Sequence, residues 1–384
     1  MDFKLTPEQL MLKKTVARFA RDVCAKEATE IDRTHEFPLE TWKRMAELGL
    51  LRINHAEQYG GVGIDPVMEM IVIEELSKAS LTHGAAYALL AHGFPTFLEK
   101  FGTGDQKTKY IPQILSGDKI GAFCLTEAEA GSDATGIQTA ALKKNNKYVL
   151  NGVKQFVTAG GISDYYLVVC KADESVGETG YTGFIVHADT PGLSVGKREN
   201  KMGIRALPTT EIILENVEIP AEQILGGNSG IGKMLKYALA TLDLARIGTG
   251  AQALGVATAA YECALRYSTE RNQFGKPICA QQGIQWYLAE MATKLKLSRL
   301  MVYSAASESA SGERISKEAA MAKLTATTCG REIVNTALQI HGGYGYMNGC
   351  PLERMYRDIK ITEIYEGTSE IMKVVIANSV IPKD

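Results

Sequence analysis

The sequence predicts an α+β fold in three blocks. These are an N-terminal helical domain over residues 1–119, a central antiparallel β-sandwich or small barrel over 120–227, and a C-terminal four-helix bundle over 228–384. Three observations predict it. In the first block apolar residues recur every three or four positions, which is one face of a helix. Between about residues 120 and 220 the segments become short, β-branched and punctuated by turn residues, with no helical runs between them. After residue 230 the chain runs in long Ala- and Leu-rich stretches largely free of Pro, the pattern of packed antiparallel helices.

Taken in order, Thr6-Pro7-Glu8-Gln9 starts the first helix with a capping Thr, a Pro at the first helical position and a Gln three residues after the Thr. Leu12, Val16, Phe19 and Val23 line its apolar face. Pro38 starts a shorter helix with Leu39, Trp42, Met45 and Leu48 on one side, and Gly49 ends it. The loop Tyr59-Gly60-Gly61-Val62-Gly63 is no dinucleotide fingerprint, since no strand precedes it and the GxGxxG spacing is absent. Asp65-Pro66 restarts helix, which continues over 80–115 apart from Pro95 and a turn at 102–104. In the central block, residues 147–150 and 153–157 flank Asn151-Gly152, which predicts a hairpin. Further strands are expected over 165–171, 182–187, 193–195 and 211–215. Long helices follow over 231–267, 280–312 and 315–340. A terminal helix over about 370–379 is capped by Thr368 or Ser369.

Composition narrows the function. At 45% hydrophobic and 22% charged residues this is an ordinary globular chain, and a net charge of −2 gives no bulk attraction to nucleic acid. No apolar run approaches the ~18–20 residues of a membrane span. The start MDFKLTPEQL has neither signal-peptide nor transit-peptide character, so a cytoplasmic location is expected. The seven cysteines are scattered without a CxxC pair, as expected for reduced thiols, and no HExxH or Cys/His spacing supports a metal site.

The densest polar run, Thr362, Glu363, Tyr365, Glu366, Thr368, Ser369 and Glu370, stands just before the terminal helix. Gly367, beside the Glu366 carboxylate, lets a ligand approach the backbone. Several separated stretches join this one in a pattern. They are residues 122–136 (AFCLTEAEAGSDATG), 152–163 (GVKQFVTAGGIS), 271–276 (RNQFGK), and 339–345 with 364–370 (QIHGGYG, IYEGTSE). In order and separation they resemble the acyl-CoA dehydrogenase family of flavoproteins, its short-chain, butyryl-CoA dehydrogenase-like members above all. Block order and length agree, so the resemblance covers essentially the whole chain.

The resemblance implies FAD-dependent α,β-dehydrogenation of an acyl-CoA thioester to the 2-enoyl-CoA, as in fatty-acid β-oxidation, with electrons passed to an electron-transfer flavoprotein. Glu366 in IYEG is then the base for the α proton, and the β hydrogen leaves as hydride to flavin N5. The α C–H of a thioester is only weakly acidic. Its base must therefore lie against the carbon, away from water, with a raised pKa. Charge developing on the thioester oxygen also needs donors, one of which in the family is a backbone N–H at the base. Isovaleryl- and long-chain members carry their glutamate on an earlier helix, immediately before an Arg. Here the matching stretch is Leu242-Asp243-Leu244-Ala245-Arg246, and Ala245 cannot act as a base.

By the same resemblance Phe123, Leu125, Thr126, Gly131 and Ser132 meet the flavin and the CoA, with Thr126 on the isoalloxazine edge and Ser132 on the CoA arm. Phe156 stacks on the ring, where many members have Trp, and Thr158 hydrogen-bonds it. Arg271 and Phe274, with Gln282 nearby, hold the FAD pyrophosphate of a neighbouring subunit. Arg suits a diphosphate because its planar fork donates twice. Gln339, Gly342 and Gly343 cradle the adenosine side, and Thr368 and Glu370 complete the cofactor contacts. Asp243, Arg246, Tyr365 and Gly367 contact substrate, and His341 is structural. A neighbour's Arg271 requires an oligomer, in the family a homotetramer built as a dimer of dimers.

Other readings are an acyl-CoA oxidase, whose members are usually much longer, an enoyl-CoA reductase running in reverse, and a flavin-binding module without activity, against which Glu366 argues. In the family, residues around 85–100 and the helix carrying Arg246 set the pocket floor, and the first of these begins here as AAYALLAHG over 85–93. Tyr87 and Leu89 would block a long chain, while the alanines and Gly93 leave room. A short-chain acyl-CoA such as butyryl-CoA is expected, with cyclohexanecarboxyl-CoA as the cyclic alternative.

Overall fold

The computed structural model describes residues 4–172 and 180–382. Seven helices come first: α1 (Pro7–Phe19), α2 (Ala25–Thr34), α3 (Leu39–Glu47), α4 (Pro66–Ala79), α5 (Leu81–Ala86), α6 (Gly93–Phe101) and α7 (Gly104–Leu115). The expected caps are present. Thr6 and Gln9 close a reciprocal capping box on α1, Gly49 follows α3 at φ +73°, and the Asp65 side chain accepts from the Met68 N–H at the start of α4. Tyr87–Ala91 forms a π-helical turn between α5 and α6. Tyr87 is fully buried with its hydroxyl on the Leu50 carbonyl, so the core holds the side chain expected to close the acyl pocket.

The sheet follows as β1 (Gly121–Cys124), β2 (Ala140–Lys144), β3 (Lys147–Thr158), β4 (Tyr165–Ala172), β5 (Tyr181–His187), β6 (Leu193–Arg198) and β7 (Thr209–Pro220). Four pairings are antiparallel as expected, but β1 and β2 both run parallel to β4. They share one edge of it, Cys124 opposite Val168 and Ala140 opposite Lys171, while β5 takes the other edge. The chain between Cys124 and Ala140 therefore leaves the sheet as a loop and returns to the same strand. That excursion carries Leu125, Thr126, Gly131 and Ser132.

The hairpin expected at Asn151-Gly152 is a correction. β3 runs unbroken through that pair, and the actual turn is at Asn145-Asn146, with Lys144 opposite Lys147 and Asn145 at φ +57°. Asn151-Gly152 marks instead a shift of register against β7, from Leu150 opposite Val217 to Gly152 opposite Leu214. Gly152 sits at φ +151°, and a Cβ there would lie 2.5 Å from Thr139 Oγ1. The extra residue is in β7, where Asn216 is left-handed (φ +54°) and donates its N–H to Asn151 Oδ1 at 2.8 Å, so the Asn-Gly pair faces a β-bulge of the neighbouring strand.

After the sheet come α8 (Met234–Glu270), a small hairpin of β8 (Asn272–Gln273) and β9 (Lys276–Pro277), and then α9 (Gln282–Ser309), α10 (Ser316–His341), α11 (Pro351–Ile359) and α12 (Ser369–Val380). The long helices expected near 231–267, 280–312 and 315–340 are α8, α9 and α10. Thr368 caps α12 by accepting from the Ile371 N–H. One apolar core joins the first and last blocks, with Ile73 and Leu76 of α4 in the same cluster as Ile247 and Leu254 of α8. Gly255 permits that approach, since a Cβ there would sit 2.4 Å from the Glu74 carbonyl.

Candidate active site

Glu366 occupies a turn between α11 and α12. A 3-10 turn, Lys360–Glu363, carries the chain out of α11, and Thr368 starts α12. Glu366 (φ +54°) and Gly367 (φ +94°) are both left-handed. For a glutamate that conformation costs about 1–3 kcal/mol and persists only where the surroundings impose it. Three side chains from two helices meet the turn. Lys323 of α10 donates from Nζ to the Gly367 carbonyl at 2.5 Å. The Tyr365 hydroxyl donates to Gln252 Oε1 on α8. Arg246, also on α8, donates from Nη1 to Asp243 Oδ1 at 3.0 Å. Asp243 in turn accepts from Ser316 Oγ at 2.7 Å.

Burial pushes the Glu366 carboxyl above the usual carboxylate range, against the pull of Lys323 and Arg246. Burial likewise brings the Lys323 ammonium down to about 8. Beside the carboxyl, the buried Arg246 Nε and the backbone N–H of Glu366 have no acceptor among the described residues. A half-buried carboxyl with a raised proton affinity, beside free donors, can accept a proton from a weak acid whose conjugate base is then hydrogen-bonded.

A second group of residues is assembled on the sheet. Lys154 of β3 has no exposed surface. Its Nζ donates to Glu127 Oε1 at 2.6 Å and to the Leu125 carbonyl at 3.1 Å. The Gln155 N–H donates to the Thr126 carbonyl at 2.8 Å. Phe123–Thr126 is thereby pinned beside Phe156–Thr158. Burial raises Glu127, but hydrogen bonds from Lys154, Thr139 and the Gln138 and Thr139 N–H groups outweigh it and hold the carboxylate below its ordinary value. Phe156 is left-handed (φ +53°) and 60% exposed, while Phe123 is packed, stacking on Phe97 with centroids 4.7 Å apart. The Thr126 and Thr158 hydroxyls make no hydrogen bond among the described residues. Gly131 and Ser132 lie on the exposed loop.

A third group surrounds a cavity of about 500 Å³ lined by Tyr267, Arg271, Ile340, His341, Gly342, Gly343 and Tyr344, among others. The Arg271 guanidinium lies 5.7 Å from the Tyr344 ring centroid. His341 is held by the Ala337 carbonyl and by Cys263 Sγ and stacks on Tyr267, a structural set of partners. Phe274 stands at the β8–β9 tip, 92% exposed and left-handed, with Gly275 after it, the geometry of a tight two-residue turn. Gln282 and Gln339 are exposed near this cavity's elements but do not line it, and Glu370 is exposed on the first turn of α12.

The sequence reading missed Lys323, Gln252 and Lys154. Lys323 had a signal: a lysine on a face otherwise made of Ala319, Ala322 and Ala326 is buried only if something matches its charge. Lys154 had one as well: it lies on the same alternating face of β3 as Tyr148 and Leu150, which is the buried face.

Three family descriptions match the chain in succession. "Acyl-CoA dehydrogenase, N-terminal domain" matches residues 6–118, "middle domain" 122–217 and "C-terminal domain" 232–381. The chain belongs to the acyl-CoA dehydrogenase family. Among relatives of this acyl-CoA dehydrogenase, the acryloyl-CoA reductase (NADH) of Anaerotignum propionicum is 46% identical over 385 residues, covering 100% of this chain and 97% of the relative. The butyryl-CoA dehydrogenase structure from Megasphaera elsdenii superposes with a TM-score of 0.96 at 39% identity over 100% of both chains. A structure described as an electron transferring flavoprotein of Acidaminococcus fermentans, concerned with flavin-based electron bifurcation, gives 0.96 at 41% identity over 100% of both. Family membership makes this an oxidoreductase of the β-oxidation type with FAD as its cofactor. Among the described residues no helix is long and apolar enough to cross a membrane.

The residues present fit FAD. Its flat ring needs an apolar face and edge donors or acceptors, and Phe156 with the unpartnered Thr126 and Thr158 hydroxyls offers both. Its diphosphate needs a bidentate cation and unshielded N–H groups, and Arg271 faces the same cavity as Gly342 and Gly343, where added Cβ atoms would meet nothing within 4 Å.

Proposed function

We propose that this enzyme dehydrogenates a short-chain acyl-CoA, with butyryl-CoA as the reference substrate and Glu366 as the base. The observation that carries the reading is the Glu366 carboxyl, held in a left-handed turn with its proton affinity raised by burial. Glu366 takes the proton from the α carbon. Its own backbone N–H is free to donate to the thioester oxygen as negative charge collects there. Arg246, tied to Asp243, supplies positive charge next to the carboxylate. FAD, when bound, supplies the acceptor for the hydrogen that leaves the β carbon with its electron pair. Ser132 on the exposed loop meets the CoA arm, and Tyr365 and Gly367 line the approach to the base. Thr368 and Glu370 stand at the cofactor's edge, although the Thr368 hydroxyl oxygen also caps α12. The division into 1–119, 120–227 and 228–384 belongs to the same reading, supported by a sheet confined to 121–220.

Electrons pass to an electron-transfer flavoprotein. A second reading, reduction of a 2-enoyl-CoA, is favoured by the 46% identity to an acryloyl-CoA reductase. In that direction Glu366 must be protonated to deliver the α proton. The two directions therefore have opposite pH slopes around the carboxyl's titration.

Rates on straight-chain acyl-CoAs of different length, with a cyclic thioester alongside, test the substrate. A maximum near four carbons is expected, because Leu89 remains half-buried on the segment expected to form the floor; a maximum beyond eight carbons overturns the short pocket.

We also propose a homotetramer in which Arg271, Phe274 and Gln282 of one subunit reach the FAD of the next. Support comes from the apolar side chains left uncovered on this stretch, Phe274 at the turn and Trp286 and Leu297 on α9. Arg271→Ala should weaken FAD binding roughly tenfold or more, since a charge-assisted hydrogen bond is worth about 1.5–3 kcal/mol. FAD content after dialysis, read by absorbance, checks it, and unchanged retention would remove Arg271 from the cofactor site.

A further inference from the structure

The buried lysine beside the base has a role that the proposed reaction does not yet use. Lys323 stands two turns into α10 among alanines, with no exposed surface. A lysine in such a place needs matched charge and hydrogen bonds. Its Nζ makes one hydrogen bond among the described residues, to the Gly367 carbonyl. An ammonium has three donors, so two remain. Its foremost charge partner is Glu366, ahead of Glu363 and Glu370, with Arg246 of α8 opposing. Arg246 is already paired with Asp243, whereas Lys323 has no hydrogen-bonded carboxylate.

The backbone adds an independent observation. The carbonyl that Lys323 holds belongs to the second of two successive left-handed residues, and the base is the first. A left-handed glutamate relaxes unless its neighbours are fixed. From the N-terminal side Tyr365 is fixed by Gln252; from the C-terminal side the fixing group is Lys323.

We propose that Lys323 is a positioning residue for the α-proton base: it anchors the Gly367 carbonyl so that Glu366 keeps its left-handed conformation, and its charge favours the Glu366 carboxylate. This rests on Glu366 being the base. Burial lowers the Lys323 ammonium to about 8, while the neighbouring Glu366 carboxylate favours its charged form. A neighbouring cation lets Glu366 lose its proton at lower pH than burial alone would allow. Removing the cation must therefore move the acid limb of the reaction upward. The titrating and charged groups facing Glu366 are Lys323 from α10, Arg246 from α8 and the adjacent Tyr365, and only the first is changed by the test.

The test compares wild type, Lys323→Met and Lys323→Gln as FAD-loaded protein. Gln keeps a donor without charge, and Met keeps neither. The Glu366 carboxyl band is followed against pH by infrared difference, with Glu366→Gln as the blank, and bleaching of the yellow band by butyryl-CoA is timed over the same range. Both variants should hold FAD, show the carboxyl titration raised by roughly one unit, and bleach at least about tenfold more slowly below the shifted midpoint, with Met slower than Gln at the plateau. A wild-type titration and rate in both variants overturns the inference. So does loss of FAD or folding in both, which makes Lys323 a structural lysine only. The base reading is judged separately. If Glu366→Gln itself bleaches at the wild-type rate, that reading fails and this inference with it. If Glu366→Gln is inert while both Lys323 variants match wild type, only this inference fails.

Discussion

Glu366→Gln should fold, bind FAD and lose turnover by ~10²–10⁴-fold or more, the usual cost of removing a positioned general base. The substitution is nearly isosteric, so the turn keeps its shape. The amide still occupies the half-buried space between Lys323 and Arg246, but it cannot take a proton. Among the described residues no other carboxylate near the turn is free to substitute. Asp243 is committed to Arg246 and Ser316, Glu363 to Arg331 and Lys360, and Ala245, immediately before Arg246, carries no acid. Turnover with butyryl-CoA, FAD content and unfolding midpoint, measured together, check it. Loss of FAD along with activity would mean that Glu366 supports the fold and not the reaction.

Lys154→Met should destabilise the protein by about 3–5 kcal/mol, the range for breaking a buried ion pair from one side. The pair is short, and Lys154 is out of contact with water. Its loss leaves Glu127 charged without its cation and frees the Leu125 carbonyl, which fixes the loop carrying Thr126. The pH dependence follows from the sign of the shift. The folded-state pKa of Glu127 is depressed, so its contribution is present above the ordinary carboxylate value and fades as pH falls through the lower folded value. The gap between wild type and Lys154→Met should accordingly be wide at neutral pH and narrow in acid. Adding Glu127→Gln should recover part of the loss, because the stranded charge is gone. Equal unfolding midpoints for wild type and Lys154→Met at neutral pH would show that water reaches the pair.

Local signals carried most of the helical architecture. The Thr6 capping box, Asp65-Pro66 and Thr368 are chemistry within four residues of chain, and each caps the helix expected of it. The sheet was harder for a physical reason. Asn151-Gly152 has the composition of a turn, but whether it turns or runs on as strand depends on Thr139 and β7, residues far away in sequence. Lys154 keeps the inward face of Tyr148 and Leu150 despite its charge, and a second shift of register between Lys154 and Val157 turns Phe156 outward, against its polarity. Parallel pairing of β1 and β2 on one edge of β4 is equally non-local.

At the candidate site the pattern repeats. IYEGTSE marks Glu366 in the sequence, while Lys323, 43 residues earlier in the chain, and Gln252 on α8 join it only through folding.

The central claim is that the Glu366 carboxyl removes the α proton. Rapid anaerobic mixing of FAD-loaded wild type and Glu366→Gln with excess butyryl-CoA tests it most directly, because a single turnover needs no electron-accepting partner. Bleaching of the yellow band in wild type, with the band unchanged in Glu366→Gln over the same interval, is the predicted result. Bleaching at the same rate in both proteins would contradict it.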